Sequence, residues 1–144
     1  MRVLILNGPN LSRLGSREPD VYGTTSYDGL VERCSQWAAE VGFDAEVRQT
    51  DDEAQLIDWL HDAADSGTPV VLNPAAFTHY SYALRDACAA LRAPLIEVHL
   101  SNPAAREVFR HTSVIAGVAN GTIAGFGVDS YRLALIALAR LVGV

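Results

Sequence analysis

Short apolar runs alternate along the chain with stretches whose apolar residues recur at helical spacing. Residues 2–7 (RVLILN) form an almost unbroken apolar run, which is typical of a strand buried on both faces. Apolar residues then recur every three or four positions from Tyr27 to Val41, and Gly42 follows at the position where helices commonly end. Alternation over 43–49 predicts a second strand.

The same two patterns continue to the end of the chain. Thr50-x-x-Glu53 has the spacing of a capping box and precedes a helical stretch. A third helical stripe covers 80–91, and Asp129 is placed to cap a final helix at 131–142. The remaining predicted strands are 69–73, 94–100 and 122–127.

Five alternating strand–helix units predict an α/β fold in which a parallel sheet carries helices on both faces. At this chain length the flavodoxin-like strand order 2-1-3-4-5 is expected. The final helix is apolar nearly all round, with Arg132 and Arg140 as its only charges. Such a helix is usually buried on more than one side, which predicts a contact with another subunit.

The connection between the first strand and the first long helix is unusually long. It spans 8–25, whereas such loops usually have roughly two to six residues. The segment contains Arg13, Arg17 and Tyr22 and has glycines as candidate hinges, so a lid at about 11–24 is predicted. The alternative is a loop of purely structural role.

Polar residues follow several predicted strands at the point where each strand ends. Asn10 follows the first strand, Asn73 ends the third and His99 lies near the end of the fourth. Ligands of open α/β sheets bind at this carboxyl edge, so the residues predict a binding rim. The alternative is that asparagine and serine simply occupy turns, as they often do.

Glu97 and His99 are two positions apart on the fourth predicted strand. Residues with that spacing point to the same face, so the carboxylate can orient and charge the imidazole. A carboxylate–histidine pair suits a general acid at neutral pH. The competing interpretation is a histidine of the core with a satisfied hydrogen bond.

Composition narrows the functions that remain. The net charge is −6 without a run of like charges, which argues against a nucleic-acid partner. No stretch reaches the roughly 20 apolar residues of a membrane span, and the N-terminus lacks a signal-peptide pattern. Cys34 and Cys88 lie in predicted helices and are expected to be buried thiols. A cytoplasmic protein is therefore expected.

All eleven basic residues are arginine. The absence of lysine excludes a lysine Schiff base, a P-loop lysine and pyridoxal phosphate attachment. The four histidines lack metal-ligand spacing, so no metal site is expected. A small anionic ligand would have to be held by arginine, neutral donors or backbone N–H groups.

Six long and irregular strings stand out along the chain: NGPNLSRLG (7–15), SREPDVYG (16–23), NPAAFTHYS (73–81), EVHLSN (97–102), REVFRHTS (106–113) and GFGVDSYRLAL (125–135). Together they resemble the type II 3-dehydroquinate dehydratases over the whole chain. The resemblance implies that residues 1–144 form a single catalytic domain. It also implies conversion of 3-dehydroquinate to 3-dehydroshikimate by anti elimination through an enol or enolate, without metal or organic cofactor.

The resemblance also implies roles for individual residues. Tyr22 is the expected base, with Arg17 as the lid arginine and Arg13 as a nearby helper. A free tyrosine has a pKa near ~10, so a base of this kind needs cations beside it. His99 is the expected acid, with Glu97 as its partner.

The remaining implied roles concern the enolate, substrate binding and assembly. Asn10 would help stabilise the enolate, and Arg106 would support the structure. Asp86 would reach the site of a neighbouring subunit within a trimer, four trimers making a dodecamer. The implied substrate-binding groups are Asn73 and the N–H groups of Leu100 and Ser101 for the carboxylate, and His79 and Arg110 for the ring hydroxyls.

Two positions depart from the family pattern. Ala75 stands where glycine is usual, which adds a methyl group and restricts φ. Asp129 and Ser130 replace the usual pair before the last helix.

Alternatives to a biosynthetic enzyme are the same reaction in quinate breakdown, an inactive relative, and a flavodoxin-like binding or receiver module. A receiver is poorly supported, because it would need a lysine.

Overall fold

A five-stranded parallel sheet forms the centre of the computed structural model, which describes residues 1–16 and 18–144. The strand order is β2-β1-β3-β4-β5, so the predicted flavodoxin-like order is confirmed. The strands are β1 (Arg2–Asn7), β2 (Asp44–Gln49), β3 (Val70–Asn73), β4 (Leu95–His99) and β5 (Gly121–Ala124).

Helices cover both faces of the sheet. Alternate residues of a strand point to opposite faces, and β1 shows the consequence. Val3 and Ile5 pack in one apolar cluster with α2 and α5, whereas Leu4 and Leu6 pack in another with α3 and α4. The helices are α1 (Pro19–Tyr22), α2 (Tyr27–Glu40), α3 (Glu53–Ser66), α4 (Tyr82–Ala89) and α5 (Asp129–Val142).

The predicted capping box at the start of α3 is wrong. Asp52 is the N-cap residue, and its carboxylate accepts a hydrogen bond from Ala54 N over 3.0 Å. The Thr50 hydroxyl accepts from Asp52 N over 3.0 Å instead and so shapes the turn before the cap. Asp and Thr both accept from nearby N–H groups, and here the residue nearer the helix caps it.

The entry into α5 also differs from the prediction. Asp129 is the first helical residue, and no side chain caps the helix. The preceding strand ends at Ala124 because Gly125 and Gly127 turn the chain with φ values of +96° and +60°. Ser130 accepts a hydrogen bond from Phe126 N over 3.1 Å, which stabilises this turn.

The outer face of α5 remains apolar. Leu133, Ile136 and Leu141 are exposed, while the opposite face of the helix is buried against the sheet. The predicted contact of this helix with another subunit therefore stays a prediction. Among the helices described here, none combines the length and the apolar character that crossing a membrane requires.

Candidate active site

A cleft lies at the carboxyl edge of the sheet, where the polar rim was predicted. Its empty space is about 600 Å³ when the part open to solvent is included. The residues that line it come from the ends of β3 and β4, from the loop after β1 and from the segment after β4. They are Pro9, Asn10, Leu11, Tyr22, Asn73, Ala75, Ala76, His79, His99, Leu100, Ser101, Pro103, Arg106 and Arg110.

Tyr22 and Arg106 form a close pair in this cleft. Arg106 Nη1 donates a hydrogen bond to the Tyr22 hydroxyl over 2.8 Å. The Arg106 Cζ atom also lies 5.1 Å from the centre of the Tyr22 ring. A guanidinium at the phenol oxygen stabilises a phenolate more than a neutral phenol. The pair can therefore supply a base.

Acidic side chains hold Arg106 in this position. Its Nη2 lies 3.6 Å from Glu18 Oε2 and its Nε lies 3.8 Å from Glu107 Oε1. The Arg106 side chain is only 16% exposed. Nη1 also donates to Ser101 Oγ over 3.3 Å, which connects the Tyr22 pair to the end of β4. The guanidinium is thus fixed in place before any ligand binds.

The sequence predicted two arginines, Arg13 and Arg17, in the loop after β1. Arg17 lies outside the described residues. Arg13 is exposed in a short 3₁₀ turn and does not line the cleft. The structure therefore places Arg106, which sequence reasoning had assigned to supporting structure, at the hydroxyl of Tyr22.

Glu97 and His99 form the second titratable pair. His99 Nε2 lies 2.6 Å from Glu97 Oε2, as their shared strand face predicts. Glu97 is fully buried and His99 is 8% exposed at the cleft. Because the pair combines a buried carboxylate with an imidazole at the cleft surface, it can hold and deliver a proton.

Two hydroxyl groups complete the surroundings of Glu97. Thr78 Oγ1 donates to Glu97 Oε2 over 2.6 Å, and Ser113 Oγ lies 2.9 Å from both carboxylate oxygens. Burial by itself raises the pKa of Glu97. Hydrogen bonds from His99, Thr78 and Ser113 outweigh that effect, so the pKa of Glu97 lies below its ordinary value. Glu97 is therefore a carboxylate at neutral pH.

The backbone after β4 offers donors to an anion. The N–H groups of Leu100 and Ser101 do not donate to any backbone oxygen within residues 1–16 and 18–144. Asn73 faces the same cleft, and its Oδ1 accepts from Ala75 N over 3.1 Å. The amide nitrogen of Asn73 carries two N–H donors.

A buried tyrosine fixes the orientation of Asn73. Asn73 Nδ2 donates to the Tyr131 hydroxyl over 2.8 Å, and that hydroxyl donates to Asn7 Oδ1 over 2.6 Å. Asn7 Nδ2 donates in turn to the carbonyl of Arg48 over 3.2 Å. Tyr131 is fully buried, and burial raises its pKa, so it stays a neutral phenol. The chain of bonds extends from β2 to the cleft.

His79 and Arg110 also line the cleft. The Thr112 carbonyl lies 2.8 Å from His79 Nδ1. Because a carbonyl only accepts, Nδ1 carries a proton, and Nε2 of the neutral ring can accept from a hydroxyl. Arg110 Nε donates to Glu107 Oε1 over 3.1 Å, and Phe109 lies between the two side chains. Both residues suit the binding of hydroxyl groups.

Asn10 and Ala75 lie at the cleft with left-handed backbone. Their φ values are +69° and +52°. The Asn10 N–H donates to Asp51 Oδ1 over 2.9 Å, which anchors the loop after β1. Asparagine tolerates this conformation better than alanine, so Ala75 carries the strain that its replacement of glycine predicted.

Asp86 does not line the cleft of its own chain. It is exposed on α4, where its carboxylate lies 3.5 Å from Arg85 Nη1. A role at a neighbouring site therefore stays a prediction.

Within residues 1–16 and 18–144, no group of three His, Cys, Asp or Glu side chains is arranged to hold a metal ion.

Sequence reasoning missed three residues that shape the site and gave a fourth, Arg106, a different role. Thr78, Ser113 and Tyr131 act through contacts between elements distant in the chain, and only the strings around them drew attention. Arg106 was noticed, but its position at Tyr22 depends on the path of the segment after β4. No local spacing in the sequence encodes these contacts.

Comparison with known proteins agrees with the fold. Residues 1–139 match the family described as Dehydroquinase class II. The 3-dehydroquinate dehydratase of Salinispora tropica is 65% identical over 139 residues, 96% of this chain and 97% of that protein. That of Mycobacterium tuberculosis is 57% identical over 141 residues, 98% of this chain and 96% of that protein.

A solved structure gives the same result. The type II dehydroquinase from Propionibacterium acnes superposes with a TM-score of 0.95 at 56% sequence identity, and the match covers 96% of both chains. Fold and sequence agree, and the chain belongs to the class II dehydroquinase family.

Proposed function

We propose that the protein dehydrates 3-dehydroquinate to 3-dehydroshikimate by anti elimination through an enolate, without a cofactor. One observation carries the proposal: the cleft holds a tyrosine bonded to a guanidinium and a histidine bonded to a buried carboxylate. A base and an acid are the two groups that removal of water beside a ketone requires. Relatives named 3-dehydroquinate dehydratase support the choice of substrate.

Tyr22 acts as the base in this proposal. Its phenolate takes the proton from the carbon beside the ketone, and the electron pair moves onto the ketone oxygen to form the enolate. Arg106 stabilises the phenolate through the 2.8 Å hydrogen bond and its positive charge. Arg17 would add a second charge, as the family resemblance implies. Asn10 helps stabilise the enolate oxygen.

His99 acts as the acid. When the enolate returns its electron pair, the carbon–oxygen bond to the departing hydroxyl breaks and His99 gives that oxygen a proton. The products are water and a conjugated ketone. Glu97 keeps the imidazole oriented through the 2.6 Å contact. The base comes from α1 and the acid from β4.

The remaining groups of the cleft hold the substrate. The N–H groups of Leu100 and Ser101, with the Asn73 amide, bind the carboxylate. His79 and Arg110 bind the ring hydroxyls. Such contacts position the ring so that the proton faces Tyr22, which converts binding energy into orientation. Arg13 is a further candidate near the lid.

The first experiment follows the absorbance of the conjugated product after addition of 3-dehydroquinate. Wild-type protein is expected to give a rising signal that borohydride and chelators do not abolish. Tyr22→Phe removes the proposed base and keeps the ring, so turnover is expected to be nearly lost with the fold intact. Tyr82→Phe is the matched control, since Tyr82 is 70% exposed outside the cleft.

The outcomes separate the alternatives. Near-normal turnover in Tyr22→Phe would disprove the assignment of the base. No signal from folded wild-type protein would favour an inactive relative or a flavodoxin-like binding module. For His99→Asn the loss is expected mainly in kcat, and a change confined to KM would contradict its role as the acid.

We place the reaction in the shikimate pathway, in the cytoplasm. Deletion of the gene should then create a requirement for aromatic amino acids, and activity should stay with the cytoplasmic fraction. Loss of growth on quinate alone would assign the enzyme to quinate breakdown.

We further propose a dodecamer built from four trimers, with Asp86 entering the neighbouring site. The exposed apolar residues Leu133, Ile136 and Leu141 of α5 agree with burial in an assembly. Light scattering should give a mass near twelve times the 15.5 kDa of one chain. A monomer with full activity would exclude a contribution of Asp86 from a partner.

A further inference from the structure

We propose that the hydroxyl groups of Ser113 and Thr78 are positioning groups that keep the shared proton of the acid pair on His99 instead of Glu97. The inference rests on the proposed function only for its kinetic consequence. Its structural part concerns where one proton lies between two atoms, and that can be measured without turnover.

The backbone decides which hydrogen bonds the Ser113 hydroxyl accepts and which it donates. Ser113 Oγ accepts hydrogen bonds from Ile115 N over 3.1 Å and from Ala116 N over 3.0 Å. A hydroxyl oxygen has two lone pairs, and these two N–H groups occupy both. The single Ser113 proton must therefore be donated, and the atoms within reach are the carboxylate oxygens of Glu97 and Thr78 Oγ1.

The Thr78 hydroxyl also donates its proton toward Glu97. Its oxygen lies 2.7 Å from Ser113 Oγ and 2.6 Å from Glu97 Oε2. Because Ser113 has no lone pair left, Thr78 cannot donate to it and donates to Glu97. Thr78 is 1% exposed and Glu97 is fully buried, so bulk water does not replace these donors. Thr78 is therefore a donor to Glu97, and Ser113 donates either to Glu97 directly or to Thr78 Oγ1.

Donors favour the charged form of a carboxylate, and this decides where the proton of the His99 contact lies. Over 2.6 Å the proton can reside on His99 Nε2 or on Glu97 Oε2. Thr78 donates to that same Oε2, which makes the oxygen a weaker base. The proton then stays on Nε2, and Nδ1 is the nitrogen that can serve the substrate.

The position of this proton sets the strength of the acid. With Glu97 ionised, His99 can carry protons on both nitrogens, and an imidazolium donates a proton readily. With the proton on Glu97, His99 keeps a proton on Nδ1 alone and is neutral. A neutral imidazole N–H is a far weaker acid. The hydroxyl groups of Ser113 and Thr78 would therefore affect the chemical step more than substrate binding.

Other ionisable groups do not replace this effect. Among residues 1–16 and 18–144, the titratable groups that act on Glu97 are His99 on its own strand and the thiol of Cys88 on α4. Burial raises the pKa of Cys88 to about 12, and the charge of Glu97 adds to that effect, so the thiol stays neutral at working pH. The proton balance of the pair is thus left to the two hydroxyl groups.

The test compares variants that delete each hydroxyl with variants that keep it. Ser113→Ala and Thr78→Val delete one donor each, whereas Ser113→Thr and Thr78→Ser retain it. We expect kcat to fall about ten- to a hundredfold in the deletion variants with a much smaller change in KM. The acidic limb of the kcat–pH profile should move to higher pH, because the carboxylate binds a proton more readily. Both retaining variants should recover most of kcat.

A second readout does not depend on turnover. Nitrogen-15 spectra of histidine-labelled protein report which ring nitrogen carries a proton, and the His99 signals are those lost in His99→Asn. The deletion variants should shift the Nε2 signal of His99 toward that of a nitrogen without a proton. Thr78→Ser should keep the wild-type signal.

Each outcome decides a distinct question. Unchanged kcat–pH profiles and unchanged His99 spectra in folded Ser113→Ala and Thr78→Val would overturn the inference. If Ser113→Ala does not fold, the comparison of Thr78→Val with Thr78→Ser decides it. Inactive wild-type protein would overturn the proposed function, while the spectra would still decide where the proton lies.

Discussion

Arg106 donates a hydrogen bond to the hydroxyl of Tyr22 over 2.8 Å, although 84 positions separate the two residues. Tyr22 ends the single turn of α1, whereas Arg106 follows a 3₁₀ turn after β4. The contact joins the loop after β1 to the end of a central strand. It also puts a fixed positive charge on the group that we propose as the base.

Replacing Arg106 by glutamine should lower kcat by about one to two orders of magnitude, because a neutral amide can donate to Tyr22 but cannot stabilise a phenolate by charge. Steady-state rates of the variant and of wild type test the expectation.

Two variants control for other effects of this change. Arg106→Lys keeps the charge and should retain more activity than Arg106→Gln. Arg132→Gln removes a half-exposed arginine that lies outside the cleft, and its rate should match wild type. Equal rates for Arg106→Gln and wild type would show that the charge does not assist the base.

The topology could be predicted because it depends on patterns local to each element. The apolar run of β1 and the helical stripes identify the layers, and short connections then allow few strand orders. The start of α3 could not be predicted as well. Thr50 and Asp52 both offer an oxygen to nearby N–H groups, and only the path of the backbone decides which one caps the helix.

The site was predictable to the extent that the strand ends define it. Glu97 and His99 share a strand face, so their contact follows from the two-residue period. Tyr131 reaches Asn73 from a helix 58 positions later, and no period in the sequence describes such a contact. Contacts of this kind depend on how the layers pack.

Tyr131→Phe should lower the free energy of unfolding by about 1–3 kcal/mol, because Asn7 Oδ1 and Asn73 Nδ2 each lose a buried partner. Without Tyr131 Oη the Asn73 amide loses its fixed orientation, so KM should rise more than kcat falls. Urea denaturation and steady-state kinetics measure the two effects. Tyr82→Phe, at an exposed tyrosine, should leave both unchanged. A Tyr131→Phe protein as stable as wild type would contradict the account of this network.

Ala75→Gly should stabilise the protein by up to about 1 kcal/mol. Alanine at φ +52° carries about 1–2 kcal/mol of strain, and the extra freedom of glycine in the unfolded chain offsets about 0.5–1 kcal/mol of the relief. Ala76→Gly is the matched control, since Ala76 has no positive φ and should only lose stability. Thermal unfolding compares the two, and destabilisation of equal size at both positions would refute the strain at Ala75.

Acid should destabilise the protein partly through Glu97. Hydrogen bonds from His99, Thr78 and Ser113 outweigh burial and lower the pKa of Glu97 in the folded protein, whereas an unfolded glutamate titrates near ~4.3. The unfolded chain therefore binds a proton first as pH falls. The stability that Glu97 contributes is complete above the pKa of the unfolded glutamate. It is lost as the pH drops through the lower pKa that Glu97 has in the folded protein.

Glu97→Gln tests this dependence. The variant should be less stable than wild type at pH 7, since an amide nitrogen in this position meets donors and leaves them unsatisfied. Its free energy of unfolding should also fall less steeply below about pH 4.3, because the titrating carboxyl is gone. Hydrogen bonds from Arg48 and Arg2 also lower the pKa of Glu46 at the surface. Glu46 is present in both proteins, so its effect cancels from the comparison. Parallel pH profiles for the two proteins would show that Glu97 does not set the acid sensitivity of the fold.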